Sequence, residues 1–199
     1  MSDWITAFLA RTGYFGVALL MVAENVFPPI PSELIMPLAG FSAARGALRL
    51  PLVVLAGTLG SVLGALPWYA AGRWLGEGRL ARWTSRHGRW LTLSPADVGR
   101  AQNTFGRHGG KAVLFGRLVP AVRTLISVPA GVARMAFGRF LVFSALGSVL
   151  WTGALAVAGY RLGRDYARVA QYMGPVGNIV IGLVAAAYLY RIVRWAPGR

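Results

Sequence analysis

The hydrophobic pattern of this chain is a series of long apolar runs, some continuous and some broken by proline. Three runs are apolar and long enough to cross a hydrocarbon core of about 30 Å as helices: Leu50 to Gly72, Phe140 to Tyr160 and Pro175 to Val193. The first carries Gly57, Gly60 and Gly64, whose missing side chains let another helix approach closely. Two further runs are irregular. Tyr14 to Ala44 contains Pro28, Pro29, Pro31 and Pro37, and Lys111 to Ala133 contains Pro120 and Pro129. Proline removes a backbone donor and disfavours helix at the residue before it, so each run predicts two half-helices meeting at a break.

Sliding one irregular run on the other by 91 positions aligns Pro29 with Pro120, Ile35 with Ile126, Ala39 with Ala130 and Gly40 with Gly131. A span follows each run. The pattern therefore predicts two repeats, residues 12–72 and 109–160, each a broken hairpin plus a spanning helix, with a further span at 175–193. The polar stretch between them, 73–108, contains "SPADVGRAQNTFGRHGG". Ser94 fits the cap of a helix, Pro95 its first position, Asp97 its first turn and Gly109 its terminator, with Val98, Ala101 and Phe105 on one face. This predicts an amphipathic surface helix. Near the N-terminus "DWITAFLA" places Trp4 and Phe8 on one helical face, as an interfacial segment does. Asp3 stands where a signal peptide would carry basic residues, and no small-residue cleavage site follows, so none is expected. The fold class is all-α integral membrane, with residues 1–199 in a single membrane domain.

Composition agrees with that class. Of 199 residues 56% are hydrophobic and only 14% charged, against roughly 25% in soluble domains. The net charge of +15 changes the picture only in its placement. Most arginines flank the apolar runs, as membrane-bordering charges do, which argues against a nucleic-acid partner. Counted with the broken runs entering and leaving on one side, thirteen basic residues fall on the side of the central loop and C-terminus and six on the other. The positive-inside rule then puts the central loop and C-terminus in the cytoplasm. There is no cysteine, hence no disulfide and no thiolate chemistry.

Four ionisable residues stand apart because they fall beside the breaks at apparent membrane depth: Glu24, Glu33, Arg117 and Arg123. At about 2.5–3.5 kcal/mol each, four unpaired charges would cost roughly 10–14 kcal/mol. Two arrangements relieve this: the acids pair with the arginines across the repeats, or all four line a wet cavity. Either way the breaks must face protein or water, since unpaired backbone is not tolerated against lipid.

The same residues carry a family resemblance. "ENVFPPIPSE" followed by "LAG", then "FGRHGGKAVLFGRLVPAVRTLISVPAGVARM" followed by "LGSVLW", resembles the DedA family of bacterial membrane proteins over nearly the whole chain. The resemblance implies two oppositely oriented re-entrant hairpins in an inverted-repeat transporter architecture, in the bacterial cytoplasmic membrane. It also implies a role in returning undecaprenyl phosphate across that membrane in dependence on the proton-motive force. On that likeness Glu24 and Glu33 match the family's essential acidic positions, and Arg117 and Arg123 its essential arginines.

Residue chemistry and resemblance meet in one expectation. A guanidinium fork suits phosphate oxygens, so Arg117 and Arg123 are the expected phosphate ligands. Glu24 and Glu33 neutralise them without substrate; displaced by phosphate into a low-dielectric site, a carboxylate tends to take a proton, which couples transport to proton uptake. The expected partners are membrane lipids, an anionic lipid phosphate and protons, with no cofactor and no metal; a second copy of the chain is a further candidate partner. Other readings stay open: a proton-coupled carrier or scramblase of another lipid or small solute, and a membrane organiser that transports nothing. An enzyme is disfavoured, because the two histidines, His87 and His108, lie in the polar central region and no metal-ligand spacing occurs. Trp68, Trp74, Trp151 and Trp195 are expected as interfacial anchors.

Overall fold

The computed structural model describes residues 2–26, 32–91, 95–120 and 122–162. They form six helices: α1 (Ser2–Val26), α2 (Ser32–Ala44), α3 (Leu50–Leu91), α4 (Pro95–Arg117), α5 (Ser127–Val132) and α6 (Phe137–Leu162). No strand occurs among the described residues. Pro28, Pro29 and Pro31, the expected span 175–193 and Trp195 lie outside them.

Two helices have the length and apolarity to cross a membrane, Leu50–Gly76 within α3 and Phe137–Leu162. They run antiparallel, because the residues that meet rise in number along one and fall along the other: Thr58 bonds Thr152 at 3.1 Å and Ser61 bonds Ser148 at 3.2 Å. α3 does not stop at Gly72 as the hydropathy predicts but runs on to Leu91. The change from apolar to charged residues alters what solvates the helix, whereas Arg, Leu and Ala beyond Gly72 still favour helical backbone. The apolar part ends at Gly76, whose φ of 59° marks the irregularity.

The two shorter helices are exchanged between the spans. α2 packs on α6 through a pair of close backbone approaches: a methyl group on Gly40 would strike the Ala156 carbonyl, and one on Gly159 would strike the Pro37 carbonyl. α5 packs on α3 in the same manner, with Gly131 against the Tyr69 carbonyl and Gly72 against that of Val128. Gly131 follows Gly40 by 91 positions, and Gly159 follows Gly72 by 87. The contacts are thus reciprocal: α2 docks on α6 and α5 on α3.

α2 and α5 also end the same way. After α2, Gly46 (φ 80°) donates to Ala43 and Ala47 donates to Ser42, both at 3.1 Å. After α5, Arg134 (φ 50°) donates to Gly131 at 2.9 Å and Met135 to Ala130 at 3.1 Å. Both are left-handed C-caps with paired bonds back into the helix, and they turn the chain into the following span.

Three expected breaks fall elsewhere. Pro37 lies inside α2, buried, with its carbonyl against Gly159, so docking on α6 holds the helix through the missing donor. Pro129 is the third residue of α5, in the first turn, where no intrahelical donor is needed. Gly109 does not end α4; the helix bends at His108 (φ −129°, ψ 19°) and continues to Arg117. In α1 the matching irregularity is Gly13, whose φ of 58° and ψ of −134° suit only glycine. Gly57, Gly60 and Gly64 are used within the chain: Gly57 meets Met36 of α2, while Gly60 and Gly64 seat α1, the latter lying where a Cβ would come 2.6 Å from Asn25 Cβ.

Candidate anion site at the crossing of the spans

Three charged side chains are buried among the described residues: Glu24, Arg117 and Arg123, at 5%, 1% and 2% exposure. Glu24 is brought in by the last turns of α1, Arg117 by the last residue of α4, and Arg123 by the turns between α4 and α5. Pro120 lies in that same turn-rich stretch, exposed. Arg123 Nη2 forms a salt bridge with Glu24 Oε2, so between these two the pairing arrangement holds. Glu33 sits in the first turn of α2, only half-buried, and makes no ion pair among the described residues.

Arg117 is different. Its guanidinium meets no carboxylate among the described residues; it donates to two neutral hydroxyls, Ser61 Oγ at 3.3 Å and Ser127 Oγ at 3.4 Å, and its Nε has no partner. Space for its stem comes from α6, since a Cβ on Gly147 would lie 2.7 Å from Arg117 Cβ. Two buried guanidiniums thus face one buried carboxylate, and an uncompensated buried charge is costly.

Around these charges runs a polar network that hydropathy does not reveal. Asn25 Nδ2 donates to Glu24 Oε2 (3.0 Å), to Ser61 Oγ (3.3 Å) and to the Met21 carbonyl (2.9 Å). Ser148 Oγ donates to Ser61 Oγ, and Thr152 Oγ1 to the Ser148 carbonyl at 2.7 Å. Trp68 Nε1 donates to the Asn25 carbonyl at 2.8 Å, so this indole closes the end of α1 and is more than an anchor. Trp151 is half-buried with Nε1 unpaired, and Trp74 is 74% exposed. The Oδ1 of Asn25 and the Oγ of Ser144 are also buried without partners.

Asn25, Ser61, Ser127 and Ser148 escape a search for charge, because small polar residues in an apolar helix read as packing. One signal does mark two of them. "LGSVL" occurs at residues 59–63 and again at 146–150, 87 positions on, and the serines of the two copies are the pair that bond across α3 and α6. No cluster of three His, Cys, Asp or Glu side chains suited to a metal occurs among the described residues. His108 is exposed at the bend of α4.

Helices without strands among the described residues, two of them antiparallel and of membrane-crossing length, are consistent with an integral membrane protein. Comparison with known proteins gives the family. The VTT domain profile matches residues 30–161, and the chain belongs to this family, the DedA family. An alkaline phosphatase-like protein of Lactococcus lactis is 36% identical over 100% of the chain and 94% of its own length. Undecaprenyl phosphate transporter A of Staphylococcus aureus is 33% identical over 100% and 98%. Inner membrane protein YqjA of Escherichia coli is 34% identical over 87% and 81%. No solved structure matches the chain.

Proposed function

We propose that this protein carries an anionic lipid phosphate, undecaprenyl phosphate by analogy with the transporters it is similar to, across the bacterial cytoplasmic membrane. The observation that carries the reading is Arg117, a guanidinium 1% exposed that meets hydroxyls instead of a carboxylate. Such a group is stabilised most by an anion that brings its own charge, and phosphate oxygens match the guanidinium fork. Arg123 is the second ligand. It is held by Glu24 in the closed state and released when phosphate competes for it.

Glu24, once displaced, is left without a counter-ion in a dry site, where a carboxyl group favours its neutral form. Substrate entry is thereby linked to proton uptake, with Glu33 as a second acidic group on the adjoining helix. The antiparallel spans and the reciprocal Gly40–Ala156 and Gly131–Tyr69 contacts support an inverted repeat with two re-entrant hairpins. In such an architecture, rocking one half against the other exposes a central site to either side in turn. The arginine bias supports a cytoplasmic central loop and C-terminus.

Transport of labelled undecaprenyl phosphate into reconstituted vesicles, with and without a pH gradient, tests this. Arg117→Ala is expected to abolish transport, and Glu24→Gln to leave transport insensitive to the gradient. Full transport by Arg117→Ala would refute the phosphate site; an unchanged gradient dependence in both Glu24→Gln and Glu33→Gln would refute the coupling. Release of inorganic phosphate by the purified protein would favour the hydrolytic activity suggested by the phosphatase-like name of one relative.

A further inference from the structure

We infer that Ser61 and Ser127 are positioning residues which hold Arg117 for substrate, and that the two serines of the repeated "LGSVL" segments have unequal roles despite bonding each other. This rests on the transport reading above.

Ser61 Oγ is a convergence point. It receives Asn25 Nδ2 at 3.3 Å from α1, Arg117 Nη1 at 3.3 Å from α4 and Ser148 Oγ at 3.2 Å from α6. A hydroxyl has two lone pairs, so three donors share one weak acceptor. Ser127, completely buried at the start of α5, takes the other end of the guanidinium. The five groups come from five helices. Replacing either hydroxyl by a carboxylate would lock the arginine in an ion pair, whereas two neutral oxygens orient it and leave its charge unspent. The long bonds of 3.3 and 3.4 Å suit a group that must turn toward an incoming anion.

Ser148 occupies the same place in the second span, but its surroundings differ. Across from Gly60, beside Ser61, α1 presents Ala18 and Met21; across from Gly147, beside Ser148, α4 presents Leu114 and Arg117. The first half thus offers an apolar side chain where the second offers the stem of Arg117. Yet the Arg117 guanidinium reaches Ser61, in the opposite span, while the Ser148 hydroxyl bonds Ser61 and does not bond Arg117. If these hydroxyls simply tied α3 to α6, removing either would break the same 3.2 Å bond with the same result. If Ser61 orients Arg117, the two removals differ.

The test is transport of undecaprenyl phosphate by the full chain in vesicles, with substrate density varied to separate apparent KM from Vmax. Arg117→Ala serves as the control on the underlying reading: if it transports normally, that reading fails and this one with it. Given an inactive control, Ser61→Ala is expected to raise apparent KM about 10-fold or more with Vmax little changed, as loss of a bond to a charged group allows. Ser148→Ala is expected to raise it no more than about 3-fold, the scale of a neutral hydroxyl pair. Ser127→Ala should resemble Ser61→Ala and carries the test if that variant does not fold. Equal KM values for the Ser61 and Ser148 variants, or a loss confined to Vmax, would overturn the positioning role while leaving the phosphate site standing.

Discussion

Residues 2–76 and 95–162 build the same device from different chemistry. Each half has a bent entry helix, α1 at Gly13 and α4 at His108, then a short docked helix and an apolar span. Each short helix ends in a left-handed cap and each docks on the other half's span through paired glycine contacts. Charge divides them. The first half contributes the carboxylate Glu24 and the second both buried guanidiniums, so neither half is neutral alone and the ion pair forms only across the interface. The backbones are alike where the charges are not, and the salt bridge joins residues 99 positions apart.

The sharpest way to break the comparison is to remove one charge from each half. Glu24→Leu leaves two buried guanidiniums without a carboxylate and is expected to destabilise the protein by about 3–5 kcal/mol. Arg117→Met leaves the Glu24–Arg123 pair intact and is expected to keep or raise stability while abolishing transport. Thermal denaturation in detergent reads the first quantity and vesicle transport the second. Equal destabilisation by both would mean that Arg117 has a counter-ion after all.

A smaller effect tests the likeness. Gly40→Val and Gly131→Val put side chains into equivalent backbone contacts on opposite halves and should each cost at least about 3 kcal/mol. Folded yield and melting temperature should fall by similar amounts. A large loss for one and none for the other would show that the halves are not held alike.

The smallest concerns the caps. Gly46 takes the left-handed position after α2 at no steric cost, whereas Arg134 takes it after α5. Arg134→Gly, at an exposed site, is expected to stabilise the protein by up to about 1 kcal/mol, read as a small rise in melting temperature. No rise would mean that the arginine side chain offsets the backbone strain.

Much of this was legible in the chain alone. Apolar runs located both spans, because burial in hydrocarbon demands about twenty apolar residues whatever their neighbours. Glu24, Arg117 and Arg123 stood out because charge within an apolar run is costly, and the 91-position slide aligned Gly40 with Gly131, two residues that make equivalent contacts. The bounds were less legible. Pro37 and Pro129 read as breaks, yet one is held by docking on α6 and the other stands in a first turn.

Partnership was the province of tertiary structure. Nothing in the order of residues says that Arg123 takes Glu24 while Arg117 is left to Ser61 and Ser127, since both arginines flank the same proline. That choice follows from how four helices cross, and from Gly147 clearing the space beside Arg117. A single chain shows where charge must be costly, because hydropathy is local; which charge is compensated depends on distances between residues far apart in sequence, and only the folded arrangement supplies them.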